Sequence, residues 1–393
     1  MGINLAVMEF INSVGYLFGT GGGTRVGLLL GAKKQEEADR VASTAFFVSL
    51  LVSIGFALPG LLFIRPLMRL LGSSETILPY AVQYGRFMIL GLPVMGASLV
   101  LATILRCEGK NRLSMMGIGL GGVLNMALDP LLIFGFRMGI TGAALATFIS
   151  QVIGFCLLLY FFLSGRSESR LRLGMVSCGN GRLSGLLKMG FPSLCRHGIG
   201  MVSAAALNIA AGMYGGDALI AALSIVTKIV TFVQSILKGI VQGAQSVYSY
   251  NYGAGRKDRV RQAYRFTLLV NTAFIAAVAA LAFLVSDRVM SAFSVTDPEV
   301  FAFGSLGLRL HILALVLMPF GFAMNILLQA VGEPGKSSFL TLLPQGLFYI
   351  PAVFLLPAAF GPKGILFAPM CAWALTDIVT IPFTIGWFSK ESA

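Results

Sequence analysis

The sequence predicts an all-α polytopic membrane protein of two pseudo-symmetric helical bundles, with five transmembrane helices visible in the first and six in the second. Three observations predict it. Hydrophobic residues make up 56% of the 393 and charged residues only 11%, with a mean hydropathy of +0.85, which excludes a soluble globular domain of this size. Apolar stretches of about 20 residues, the length that crosses a bilayer, recur along the chain with short polar connections. The two halves also repeat each other at an offset of roughly 222 residues.

Taken in order, the first span, 3–30, is an apolar run that ends at Lys33, Lys34 and Arg40. The second, 41–64, stops at Arg65 and Arg69, and the third, 79–105, runs from beyond Glu75 to Arg106, Lys110 and Arg112. Spans 113–135 and 140–163 turn about Arg137 and lead into a basic loop holding Arg166, Arg170, Arg172, Arg182 and Lys188. Spans 190–213 and 218–250 flank Asp217, and 264–285 follows Arg256, Lys257, Arg259, Arg261 and Arg265. Beyond Arg288 and the acidic pair Asp297 and Glu299, span 301–330 runs to Lys336; 338–360 and 364–388 then turn about Lys363 and finish at Lys390. Alternate connections therefore carry the positive charge. The positive-inside rule makes that side, and the C-terminus, cytoplasmic in a multi-pass cell-membrane protein. The net charge of +13 is topology information on this reading, so no nucleic-acid partner is expected.

The repeat is carried by short matches. Gly31-Ala-Lys-Lys answers Gly253-Ala-Gly-Arg-Lys, Glu108-Gly-Lys110 answers Glu333-Pro-Gly-Lys336, and Arg86 answers Arg309. Both halves face the same way, which requires an even number of spans in each. Five before the central loop therefore imply a missing N-terminal span. The expected division is an N-terminal bundle over 1–163 lacking its first helix, a cytoplasmic linker over 164–188 that serves as hinge, and a C-terminal six-helix bundle over 189–393.

The stretch from Gly121 to Gly135 carries the chemistry of the first bundle. Asn125 and Asp129, four residues apart, share a helix face. Pro130 has no N–H to give to the carbonyl of Met126. Carboxylate, amide and freed carbonyl are oxygen ligands for a small cation or a proton, and ionisable groups at this depth are usually functional. In a soluble helix the same Asp would more simply receive a hydrogen bond.

The other intramembrane ionisable residues are few. Arg86 and Arg309 sit near the outer ends of their spans and are expected to snorkel, while Arg196 and His197, close to Pro192, are expected to anchor at the headgroups. Glu9 and Asn12 share a face with Tyr16 that could border a substrate cavity, together with Lys228, Lys238 and Asp377. Either lysine could pair with Glu9, Asp129 or Asp377, and Asp377 could also titrate. Prolines within many spans and 47 glycines fit close packing and broken helices round a cavity.

Enzyme chemistry finds no support. Gly19-Thr-Gly-Gly-Gly23-Thr lacks the Gly-Lys-Ser/Thr ending of a phosphate loop and no strand precedes it. No nucleophile elbow or metal-binding His-Glu-x-x-His is present. The cysteines Cys107, Cys156, Cys178, Cys195 and Cys371 are scattered without metal spacing and read as small apolar fillers. A passive channel has no ring of repeated charges or carbonyls to recommend it.

Several motifs together resemble the multidrug and toxic compound extrusion (MATE) transporters. They are Gly19-Thr-Gly-Gly-Gly-Thr with Leu30-Gly-Ala-Lys-Lys34 and Glu37-Ala38; Leu105-Arg-Cys-Glu-Gly-Lys110; Asn125-Met-Ala-Leu-Asp129-Pro-Leu-Leu-Ile-Phe-Gly135; Gly139-Ile-Thr-Gly-Ala-Ala-Leu-Ala-Thr147-Phe-Ile-Ser-Gln151; and Gln242-Gly-Ala-Gln245 before Tyr250-Asn-Tyr-Gly-Ala-Gly255. The resemblance implies a secondary active antiporter of two six-helix lobes that exports drugs or other organic compounds in exchange for H+ or Na+ by alternating access. It implies a coupling site, able to take Na+, at Asn125, Asp129 and Thr147, and no cofactor beyond the coupling ion. The partners expected are the bilayer and a small organic substrate, with the chain acting as a monomer. The alternative, flipping of lipid-linked saccharides, would use Lys228 and Lys238 in a basic groove.

Overall fold

A computed structural model of the chain describes residues 2–71, 73–177, 179, 181–293 and 297–390. Cys178 lies outside the described residues. Among these residues every regular element is helical: α1 (Gly2–Gly31), α2 (Gln35–Leu62), α3 (Ile64–Leu70), α4 (Leu78–Cys107), α5 (Asn111–Pro130), α6 (Gly139–Leu163), α7 (Arg182–Gly253), α8 (Lys257–Ala292), α9 (Pro298–Ala330), α10 (Pro334–Leu342), α11 (Tyr349–Phe360) and α12 (Gly364–Lys390). Apolar side chains such as Met115, Val123 and Met126 on α5 stand exposed, as they must where the surrounding solvent is lipid.

Two expected spans, 190–213 and 218–250, form one run of 72 residues. At about 1.5 Å per residue it would reach about 108 Å if straight, several times the hydrocarbon thickness. It reverses at Gly216, whose backbone (φ 61, ψ −158) lies where only glycine is comfortable, so no polar loop marks the turn. The expected span 338–360 is instead interrupted by a π-turn, Leu343–Leu347, between α10 and α11. Pro344 lies inside that turn, and its missing N–H displaces the ladder.

The chain divides into two compact units. One comprises the residues up to His197 together with Ser249–Gly255, the other Gly198–Tyr248 together with the residues from Arg256 on. The division between these compact units falls inside α7. In the first unit α4, and in the second α9, is largely enclosed, 67% and 72% buried over its most apolar window. These two helices are repeat-related, and so are the bonds beside them. Ser114 Oγ donates to Ala102 O at 2.8 Å, while Ser337 Oγ donates to Asn325 Oδ1 at 3.3 Å.

The glycine-rich run of α1 is a packing surface. A side chain at Gly19 or Gly23 would meet the backbone oxygens of Leu99 and Thr103 on α4 at 3.0 and 2.9 Å, and one at Gly21 would strike Leu186 O. Gly190 stands in the same relation to Leu17 O, so α1 and the start of α7 cross reciprocally through small residues. Gly31 and Gly253, which the repeat pairs, meet Tyr250 O and Leu28 O in a second reciprocal crossing.

The loop 164–181 is held tightly to the first unit. Glu108 accepts from Ser167 Oγ at 2.9 Å, Glu168 N at 2.9 Å and Ser169 N at 2.9 Å, and Lys110 pairs with Glu168 at 2.8 Å. On α2, Asp39 accepts from Arg170 N at 3.0 Å, Ser43 from Arg172 N at 3.1 Å and Thr44 from Ser177 N at 3.1 Å. Glu108→Ala would leave the buried loop donors unpaired, at about 1–3 kcal/mol. The expected result is faster proteolytic cutting within 164–181; an unchanged rate would mean the carboxylate does not hold the loop.

Candidate cation site and adjoining cavity

The hairpin of α5 and α6 builds the site. After Pro130 the backbone relaxes into a π-turn, Leu131–Gly135, with Phe136 N donating to Leu131 O at 3.0 Å and Met138 N to Leu132 O at 3.1 Å. Arg137 and Gly139 then take left-handed conformations (φ 54 and 55) that swing the chain back. Gly142 lets α6 close on the turn, since a Cβ there would lie 2.8 Å from Leu132 O. The result sets Thr147 beside Asn125.

Asn125 Nδ2 donates to Asp129 Oδ1 at 3.2 Å and to Thr147 Oγ1 at 3.3 Å. Thr147 Oγ1 gives its own proton to Ala143 O at 3.0 Å, which leaves its lone pairs facing the amide. Tyr84 on α4 lies within electrostatic reach of Thr147 and Asp129. All four side chains are half-buried. Among the described residues no lysine or arginine pairs with Asp129, so the carboxylate is balanced only by dipoles. A carboxylate in that state can take up a proton or a small cation.

Beside the triad lies a cavity of about 310 Å³. Its walls are Met95, Ser98 and Leu99 of α4, Gly117, Ile118, Gly121, Gly122 and Asn125 of α5, and Thr147, Ser150, Gln151, Gly154, Phe155 and Leu158 of α6. Asn125 and Thr147 thus belong to the polar triad and to the cavity wall at once. Gln151 Nε2, 3.6 Å from Met95 Sδ, adds a second polar position on an otherwise apolar surface.

The residues expected to share a substrate cavity are distributed over both units. Glu9 and Asn12 belong to the first unit, Lys228, Lys238 and Asp377 to the second. Glu9 Oε2 lies 3.3 Å from His197 Nδ1, and Tyr16 stacks on the same imidazole with centroids 4.9 Å apart. A carboxylate and an aromatic ring from one face of α1 thus engage His197. Lys228 is exposed on α7 and Lys238 half-buried. Arg309 reaches Asp287 at 2.9 Å and Arg86 is exposed, both consistent with snorkelling. Sequence reasoning did not single out Tyr84 or Gln151, although Gln151 stands in a quoted motif, four residues beyond Thr147.

Comparison with known proteins bears on this arrangement. The family description MatE matches residues 1–131 and 197–355. The multidrug export protein MepA of Staphylococcus haemolyticus (strain JCSC1435) is 28% identical over 370 residues, spanning 94% of this chain and 81% of its own. MepA of Staphylococcus aureus (strain MSSA476) is 27% identical over 380 residues, spanning 96% and 83%. A multidrug resistance MATE family transporter of the MOP superfamily, solved in an outward-facing conformation, superposes with a TM-score of 0.94 at 24% identity, covering 100% of this chain and 88% of that one. A MOP superfamily transporter from Pyrococcus furiosus Vc1 (DSM3638), for which a binding pocket of reverse polarity suggests a different function, gives the same TM-score of 0.94 and identity of 24%, with the same coverage, 100% and 88%.

Proposed function

The chain belongs to the MatE family, and from that premise we propose that it exports drugs or other organic compounds across the cell membrane in exchange for H+ or Na+, by alternating access. One observation carries this reading: Asn125 and Thr147, which line the cavity between α4, α5 and α6, are hydrogen-bonded to each other, and Asn125 also bonds Asp129 at 3.2 Å. A cation on Asp129 neutralises the carboxylate and competes with Asn125 for Oδ1, so the amide is released to turn towards the cavity. Removal of the cation restores the charge on Asp129 and draws the amide back from the cavity. Either change alters what the cavity binds, which is the differential affinity that coupling requires.

The cavity wall holds no lysine or arginine. That composition favours neutral or cationic organic compounds here over the pyrophosphate of a lipid-linked saccharide. The chain acts as a monomer in this reading, needs no cofactor beyond the coupling ion, and has its basic connections and C-terminus in the cytoplasm.

Reconstitution into proteoliposomes tests the assignment. An imposed H+ or Na+ gradient is expected to drive accumulation of a fluorescent organic cation, and collapse of the gradient to abolish it. Thr147→Val, which removes the acceptor for Asn125, is expected to reduce the driven rate about fivefold, the low end of ordinary coupling. Equal accumulation with and without either gradient would overturn ion-coupled export.

A further inference from the structure

The chain has two histidines, and export through the Asp129 site uses neither. His311, in the second unit, bonds Gly307 O of its own helix at 2.9 Å. His197 is instead engaged from another helix. Its Nδ1 lies 3.3 Å from Glu9 Oε2, and the ring of Tyr16 stacks on the imidazole with centroids 4.9 Å apart and 14° between the planes. Glu9 and Tyr16 are about two turns apart on α1, so both partners come from one face of it.

The position of this contact along α7 gives it a consequence. His197 is where α7 leaves the first unit, since the second begins at Gly198. Nearer its start, α7 is fixed to α1 by the backbone crossings of Gly21 with Leu186 O and of Gly190 with Leu17 O, which no titration alters. From Gly190 to His197 the helix makes about two further turns, and the carboxylate and ring from α1 meet its far end. Just beyond, a Cβ at Gly198 would touch nothing within 4 Å, so packing loosens where the contact stops.

Both partners hold a protonated imidazole more tightly than a neutral one. A charge-assisted bond to a carboxylate is about twice as strong as its neutral counterpart, and an aromatic face attracts a cation within about 6 Å of its centroid. The neutral ring keeps an ordinary hydrogen bond and loses the rest. Few other charges bear on it. Arg196, the preceding residue, lies within electrostatic reach of Tyr16 and of Cys195, and it opposes a second positive charge. On α4, which packs along α1 at Gly15, Gly19 and Gly23, no residue from Phe87 to Leu105 is charged, and on α2 none is from Val41 to Leu62. The π-turn Leu343–Leu347, whose Gly346 faces Ile199, is uncharged as well. Arg25 of α1 and Arg182 and Lys188 of α7 stand more than about two turns away along their helices.

We propose that Glu9, Tyr16 and His197 form a proton-operated latch: protonation of His197 fastens α7 to α1 from Gly190 to His197, and deprotonation loosens that segment. The latch does not depend on ion-coupled export. Its hold is present while the imidazole is charged and is lost as the pH rises through the imidazole titration, between about pH 5 and 8. Amide hydrogen exchange of the purified full chain in detergent, corrected for the intrinsic pH dependence of exchange and read by mass spectrometry, tests it over that range. The amides of 190–197 are expected to exchange severalfold more slowly at the acid end, while those of 182–189, held by the glycine crossings, keep one protection throughout. Glu9→Gln is expected to remove the step, and Tyr16→Leu to shrink it, with Tyr16→Phe restoring it. His197→Gln is expected to exchange at the alkaline rate at every pH; should it fail to purify, Glu9→Gln decides alone. Asp129→Asn is expected to keep the step unchanged. Protection of 190–197 that does not vary with pH in the unmodified chain, a step that survives Glu9→Gln, or one that disappears in Asp129→Asn would overturn the latch.

Discussion

Asp129→Asn is expected to lower gradient-driven export about 5–150-fold, the range of ordinary coupling free energies, while leaving the chain folded. The asparagine keeps the size of the side chain and can still accept from Asn125, whose bond to Oδ1 is 3.2 Å. Thr147 keeps its place, because it donates to Ala143 O on its own helix and accepts from Asn125. What is lost is the negative charge, and with it the capacity to alternate between neutral and charged states. The variant is therefore expected to bind organic substrate in a cation-independent manner and to transport it only down its own gradient. Export at the original rate, still driven by the ion gradient, would mean that Asp129 is a structural acceptor.

Gly21→Val is expected to prevent folding of the first unit. The Cα of Gly21 packs against Leu186 O at the crossing of α1 with the start of α7, and Gly190 packs reciprocally against Leu17 O. A Cβ at either position strikes backbone and not a flexible side chain, so relief needs the helices to separate. Overpacking of an ordinary core costs about 1–3 kcal/mol, and here the opposing atoms cannot rotate away. Expression with a fluorescent fusion and size-exclusion chromatography should show aggregated or degraded protein for Gly21→Val. Gly119→Ala, where no atom lies within 4 Å of the added carbon, should elute as the unmodified chain does. A monodisperse Gly21→Val of unchanged melting temperature would show that the crossing is looser than described.

The two effects have different origins in the sequence, and this determined what could be read from it. Asn125 and Asp129 were legible because a four-residue spacing on one helix needs no tertiary knowledge. Thr147 came only through the family resemblance, since nothing local says that α6 will set it beside α5. The π-turn and the left-handed Arg137 achieve that placement, and neither leaves a mark in hydropathy. Glu9 and His197 were read separately because they are 188 positions apart in the chain. The packing role of the run Gly19–Gly23 was not legible, because it depends on the backbone oxygens of α4 and α7 opposite it. Spans were legible throughout, with two instructive differences. The single glycine at 216 reverses α7 without a polar loop, and Pro344 breaks the helix that was expected to run unbroken from 338 to 360. The connection 164–188 is expected to serve as a hinge because it is the longest polar one. Polar groups can equally be hydrogen-bonded to a neighbour, and Asp39, Ser43, Thr44 and Glu108 bind it that way.

The central claim is that one cation and one organic substrate compete through Asp129, and reciprocity tests it most directly. Binding of a fluorescent organic cation to the purified chain would be titrated at several concentrations of Na+ and H+, and binding of the ion at several concentrations of the dye. Thermodynamic linkage requires the two shifts in affinity to be the same factor. The expected result is that saturating ion weakens dye binding severalfold, that dye weakens ion binding equally, and that Asp129→Asn removes both effects. Dye and ion affinities that are independent of each other in the unmodified chain would contradict it.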